Sequence, residues 1–343
     1  MDSAVSHAHL HKDPIIKVVG VGNGGCNMLQ HMINRGLEGV EFIAINTDSQ
    51  SLYKSTAPLR VQIGVKLSNG LGAGCDPNKG RKAAEESHED IKPLLQGASL
   101  VIIIAGMGGG TGTGSSPVIA DIAKEVGALT IAVVTRPFCF EGKKHWFQAE
   151  NYGIIELAKH VDTLIKIEQQ KVLESLGTNS SIIDAFNKIN EISLHAVSCI
   201  TDSLHHPGYI NLEFGDLETL MRDHGYATVG HAEGKGKKFV EDAIQRAFAS
   251  LMIDQVEPKS ATGLLVVARV NANFPITKFA QLSDEVSSYA NEEAQIRTSI
   301  LIDEQLAEEQ IILTIVLTGL PEEDSQALFE QYFRNYKYSC ARD

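Results

Sequence analysis

The stretch that most constrains this chain is Gly106-Met107-Gly108-Gly109-Gly110-Thr111-Gly112-Thr113-Gly114. It directly follows the apolar run Leu100-Val101-Ile102-Ile103-Ile104-Ala105, which reads as a buried parallel strand. Residues 115–127 read as a helix, with Pro117 tolerated in the first turn. The glycines thus fall between the C-terminal end of a strand and a helix N-terminus. Six glycines in nine residues leave the backbone amides uncovered. Such a loop wraps the oxygens of a phosphate chain, helped by the positive end of the helix, and Thr111 and Thr113 add hydroxyl donors. A flexible surface turn is the plain alternative, but the cluster costs conformational entropy and sits where α/β sheets bind ligands. The lysine-bearing P-loop is excluded, because Gly114 is followed by Ser115-Ser116 and the next lysine is Lys124.

Two further glycine-rich segments precede this one. Residues 15–20 read as a first strand, and Gly20-Val21-Gly22-Asn23-Gly24-Gly25 follows before a helix over 26–35. That spacing matches a dinucleotide-binding fingerprint, a weak signal by itself. A second strand over 39–46 ends in Asn46-Thr47-Asp48, where an acidic side chain can hold a ribose hydroxyl. On these residues alone a nicotinamide-dependent oxidoreductase is the competing reading. Gly70-Leu71-Gly72-Ala73-Gly74-Cys75-Asp76-Pro77 is another glycine-rich loop, ahead of a helix over 80–95. Three such loops on one sheet rim suit a longer phosphate chain better than one dinucleotide pyrophosphate.

The 106–114 segment resembles the signature loop of the tubulin/FtsZ family, and the similarity to FtsZ runs over residues 15–319. The resemblance implies an α/β fold: a Rossmann-like parallel-sheet GTPase domain (14–184), a central helix (185–204), a synergy loop (205–216) and a smaller α/β domain with a mixed sheet (217–319). It implies GTP/GDP and Mg2+ as ligands. By it, Gly22, Asn23, Gly24, Gly25 and Asn27 look like the first nucleotide loop, Asn46 and Asp48 the second, and Gly72, Ala73 and Gly74 the third. Gly106, Gly108, Gly109, Gly110, Thr111, Gly112, Thr113 and Gly114 look like the fourth. Pro137, Glu141 and His145 match the ribose-contacting segment, with His145 where the family has arginine, a loss of permanent charge and of a planar donor fork. Gln169-Gln170 stands where relatives carry Asn-Asp. In the family Phe186 matches a residue that stacks on guanine and Asn190 one that reads the base edge; Asn offers both donor and acceptor. Asn211, Glu213 and Asp216 match a loop that enters the nucleotide site of the next subunit and polarises the attacking water, with Glu213 where aspartate is usual. The implied assembly is a head-to-tail homo-oligomeric filament that hydrolyses GTP, with co-assembly with another FtsZ-type subunit as a further expectation. A scaffold with little hydrolysis is the alternative.

Composition fits that picture. The 343 residues suffice for two domains, and 43% hydrophobic content supports a real core. A net charge of -13 disfavours a nucleic-acid partner. Five dispersed cysteines, at 26, 75, 139, 199 and 340, suggest reduced thiols in the cytosol and no zinc site. Residues 1–13 read as a disordered polar tail without the apolar core of a signal peptide. No window approaches a membrane span, and the protein is expected in the cytoplasm, at the division site or in a specialised paralogous role, with a membrane tether left open. Residues 233–238 read as a solvated turn and 217–224 as a helix. The last 24 residues, 320–343, include Leu328-Phe329-Glu330-Gln331-Tyr332-Phe333, expected as a short helix packed on the body.

Overall fold

The structure, a computed structural model, describes residues 13–176, 180–205, 210, 212–252 and 257–339. Six parallel strands form the first half of a sheet: β1 (Ile16–Val21), β2 (Glu41–Asn46), β3 (Leu59–Gln62), β4 (Leu100–Gly106), β5 (Leu129–Arg136) and β6 (Thr163–Glu168). Their spatial order is β3-β2-β1-β4-β5-β6. The sequence order reverses between β1 and β4, so connections leave on opposite faces and open a crevice at the C-terminal strand ends. Helices Gly22–Asn34 and Ile182–His205 share one apolar layer with Val18, Ile102 and Ile104. Helices Pro77–Glu86, His88–Leu95 and Thr111–Glu125 cover Val19, Val101 and Ile103 on the other face. Near-continuous burial along β1, β4 and β5 follows from cover on both faces.

The second half continues the same sheet. Strands β7 (Gly225–Lys235), β8 (Gly263–Val270), β9 (Gln295–Ile302) and β10 (Gln310–Leu320) extend it to ten, in the order β6-β7-β10-β8-β9. The seam is short: Thr163, Leu164 and Ile165 of β6 pair in parallel with Gly225, Tyr226 and Ala227 of β7. Beyond it β10 runs antiparallel to β7 and β8, while β9 is parallel to β8. The mixed sheet expected of a smaller domain is therefore joined edge to edge with the parallel one. Helices Phe239–Ala249 and Ile276–Tyr289 cover one of its faces. The central helix Ile182–His205 lies over the seam, and its layer includes Leu265, Val267 and Val316 from the second half.

Several local expectations shift. The helix after the organising strand begins at Thr111, four residues before the expected start. Its glycines are there for contact: a Cβ on Gly114 would lie 1.9 Å from the Pro77 carbonyl oxygen, so the helix packs backbone-close on Pro77–Glu86. The single helix expected over 80–95 breaks at Ser87, whose hydroxyl accepts the Gly64 amide at 3.1 Å. Residues 233–235 belong to β7 rather than to a turn. The helix expected from 217 begins at Phe214. The C-terminal helix Ser325–Ser339 sets Leu328, Tyr332 and Phe333 against Trp146 and Cys139. Beneath that contact Arg136 is fully buried between Glu150 (2.5 Å) and Glu168 (2.9 Å), with its guanidinium 4.8 Å from the Trp146 ring centre.

Candidate nucleotide site at the sheet rim

The C-terminal ends of β1, β2, β4 and β5 surround a cavity of about 450 Å³. Its wall includes Asn23, Gly24, Asn27, Asn46, Asp48, Gly72, Ala73, Gly74, Gly106, Gly109, Gly110, Thr111, Gly112, Pro137, Glu141, Phe186 and Asn190. Five segments far apart in sequence, together with the start of the central helix, thus meet at one place. None of the lining side chains is Lys or Arg. An anionic ligand here would be held by backbone amides and by the positive ends of helices Gly22–Asn34 and Thr111–Glu125, both of which start at the cavity.

Side chains stabilise the loops. Asn46 Nδ2 donates to Asn23 Oδ1 at 2.7 Å, tying the first two loops. Asp48 Oδ1 caps the next helix by accepting the amides of Gln50 and Ser51. The Thr47 and Thr111 hydroxyls lie 2.7 Å apart and link the second loop to the fourth. The Phe186 ring is 43% exposed and is braced edge-on by Phe138 at 5.6 Å, which keeps it at the cavity mouth. Asn190, one turn on along the same helix, is half-buried.

Other expected contacts sit behind the wall. Gly22 has φ +70, and a Cβ there would meet the Gly112 amide nitrogen at 2.8 Å. A Cβ on Gly25 would lie 2.2 Å from the Ile104 carbonyl oxygen. These two glycines, like Gly114, let backbone meet backbone. Thr113 turns inward, its hydroxyl accepting the Gly108 amide at 2.9 Å, and Gly108 is held in a left-handed conformation at φ +103 against the His145 carbonyl. The His145 ring is 3.3 Å from the Glu141 carbonyl oxygen and outside the cavity wall. Glu141 Oε1 accepts the Phe138 amide at 3.0 Å, which folds the segment after β5.

Gln169 stands out among lining residues to which sequence reading assigned no role. It is 7% exposed, and its Oε1 has no hydrogen-bond partner among the described residues. Met28, Met107, Thr135 and Ile189 also line the cavity; local sequence offers no signal for them beyond proximity to the loops. Cys26, behind the first loop, is buried, and burial pushes its thiol up to about 12, so it is inert packing.

Asn211 lies outside the described residues. Glu213 precedes helix Phe214–Met221 and Asp216 lies in its first turn, where the two close a capping box. They do not line the cavity. The Met221 carbonyl at the end of this helix accepts the Thr163 hydroxyl, and the Gly225 amide donates to the Asp162 carbonyl at 3.1 Å. Both contacts lie where β6 begins, at the rim opposite the cavity. The central helix links the two rims: it starts at Phe186 and Asn190 and ends with His205 against Gly39, just before β2 begins. Its 24 residues span about 36 Å.

Residues 15–177 match the Tubulin/FtsZ family, GTPase domain, and residues 225–321 match the FtsZ family, C-terminal domain. The chain is 43% identical to the cell division protein FtsZ of Coxiella burnetii over 89% of its length and 78% of that protein. It is 41% identical to FtsZ of Wigglesworthia glossinidia brevipalpis, over 91% and 80% of the two chains. In structure it resembles an empty FtsZ dimer from M. jannaschii (TM-score 0.84, 37% identity, 90% and 89% covered). A GTPgS-bound protofilament of CetZ2 from Haloferax volcanii shares the fold (TM-score 0.77, 19% identity, 95% and 99% covered). With loops, sheet order and relatives in agreement, this chain belongs to the FtsZ family, the tubulin-like GTPases of cell division.

Proposed function

We propose that this chain hydrolyses GTP at a junction between two copies, one supplying the nucleotide cavity and the next supplying Glu213 and Asp216. The observation that carries this reading is the separation of the two residue sets onto opposite rims, which the central helix, about 36 Å long, connects. One subunit cannot bring both to one phosphate, whereas stacking one copy on the next does. The repeat is head-to-tail and builds a filament.

In this reading guanine lies against Phe186, with Asn190 at its polar edge. Ribose sits by Pro137 and Glu141. The glycine-rich loops hold the phosphates through amides aimed at the oxygens, the electrostatic arrangement phosphoryl transfer requires. Among the described residues no group of three or more His, Cys, Asp or Glu forms a metal cage. Mg2+ would therefore be held chiefly by phosphate oxygens and water, as its hard octahedral preference favours. Glu213 and Asp216 of the following copy orient the attacking water and accept its proton. The name shared by the curated relatives supports a role in cell division; a cytoplasmic filament at the division site, open to co-assembly with another FtsZ-type subunit, belongs to the same proposal.

The test is phosphate release from GTP over a dilution series, read beside light scattering. Turnover per subunit is expected to rise above a threshold concentration together with scattering. Turnover that stays constant down to dilutions without polymer would sink the shared site.

A further inference from the structure

We infer that Arg297 is a positioning residue for the Asp216 carboxylate, which it holds in a set orientation at the subunit junction; the inference rests on the shared-site reading above. Arg297 belongs to β9, 81 residues from Asp216. Its Nε donates to Asp216 Oδ1 at 2.8 Å. Its Nη1 donates to the Ile296 carbonyl at 3.3 Å, which limits rotation of the guanidinium plane. On the other side Asp216 Oδ2 accepts the Glu213 amide at 3.4 Å. The carboxylate is thereby gripped through both oxygens, by the capping box of its own helix and by a strand from across the second half of the sheet.

The topology puts this grip where the proposed junction lies. β7 begins beside the start of β6, at the rim opposite the cavity. β10 runs antiparallel to β7 and ends there, β8 begins there, and β9, parallel to β8, begins there too. Arg297 is the third residue of β9. Its side chain is 37% exposed and that of Asp216 35%, so the pair looks outward from this rim. In water such a pair is weak. Covered by the next copy it loses solvent, and the same charges act at a lower effective dielectric.

The chemical consequence follows from what the carboxylate must do. Each carboxylate oxygen has two lone pairs, so Asp216 keeps acceptor sites for a water after meeting both donors. Orientation of that water depends on where the oxygens point, and displacement on the ångström scale costs about a hundredfold in rate. Arg297 removes that freedom.

The experiment uses the full chain and four variants: Arg297→Ala, Arg297→Lys, Asp216→Ala, and the Arg297→Ala/Asp216→Ala double. GTP affinity, the assembly threshold with a slowly hydrolysed GTP analogue, and turnover per polymerised subunit are measured. Arg297→Ala is expected to lose about tenfold in turnover with affinity and threshold unchanged, which also shows that it folds. Arg297→Lys, which keeps charge without the fork, should recover part of the loss. Asp216→Ala should lose roughly a hundredfold, and adding Arg297→Ala to it should cost nothing more, because Arg297 acts through Asp216. Wild-type turnover in Arg297→Ala, or a further loss in the double variant, overturns the inference and leaves the shared site standing. Wild-type turnover in Asp216→Ala overturns the shared site and the inference together.

Discussion

At the rim where β1, β4 and β5 end, the groups facing the cavity are glycine backbone and neutral or acidic side chains, with no cation among them. At the rim where β7 and β9 begin, the groups that matter are the charged side chains of Glu213, Asp216 and Arg297. In the proposed function the difference follows from two tasks. Holding a phosphate chain needs many donors in fixed directions, which packed backbone supplies at no rotamer cost. Orienting one water needs a few strong groups whose reach is adjustable by single residues. A backbone-built rim therefore tolerates almost no added atom at its packed glycines, while a side-chain-built rim is retuned by one substitution such as the glutamate at 213.

The contrast is broken most severely at Gly114. A Cβ there would lie 1.9 Å from the Pro77 carbonyl, whereas Gly109 has nothing within 4 Å of the same added atom. Gly114→Ala should force helices Thr111–Glu125 and Pro77–Glu86 apart and destabilise by about 3 kcal/mol, as overpacking in a close contact does. Gly109→Ala should change stability by less than about 0.5 kcal/mol. Urea unfolding of both variants checks this; equal midpoints would mean that the glycines serve only as open amides.

Asn190→Ala sharpens the same contrast, because it tests the one feature of the cavity that side chains carry. Preference for GTP over ATP in a competition titration should drop by about 10–100-fold, the effect of leaving a buried polar edge unpaired. Phosphate affinity itself, set by backbone, should barely move, so inorganic diphosphate should compete as before. A preference that survives would shift base recognition to Gln169.

A pH-dependent effect lies between the rims. His195 of the central helix stacks on His231 of β7, ring centres 3.5 Å apart, and His231 Nδ1 sits 2.9 Å from the Thr314 hydroxyl. Burial, reinforced for His195 by His231 and for both by Lys188 and Arg269, pushes them down to about 3 and about 4. Glu233 pulls His231 slightly the other way. In the unfolded chain both titrate near 6.5, so between that pH and about 4 the unfolded state binds more protons and stability falls as pH falls. The loss should reach on the order of 2 kcal/mol for each ring at pH 5. His231→Phe should keep the stack and flatten the slope between pH 7.5 and 5 in denaturant titrations; an unchanged slope would assign the acid sensitivity elsewhere.

Much of the cavity was legible from residues alone. Glycine clusters after apolar runs mark places where a strand ends and backbone must turn, and both signals are local. The central helix, expected over 185–204, runs over Ile182–His205. The roles of Phe186 and Asn190 came from family resemblance, since nothing in a helical Phe and Asn one turn apart distinguishes a ligand contact from packing.

What the sequence determined by itself, then, is periodicity, chain reversal and backbone freedom, because each is a property of a few neighbouring residues. Only tertiary structure decided that Thr111–Gly114 is helix, since that conformation depends on Gly114 meeting Pro77. It alone joined the halves into one sheet through Thr163–Ile165 and Gly225–Ala227, a pairing of segments some sixty residues apart. It alone buried the Gln169 Oε1 without a hydrogen-bond partner among the described residues and set Arg297 on Asp216. A contact between distant residues is encoded in both partners at once, and neither carries a local mark of the other until the chain has folded.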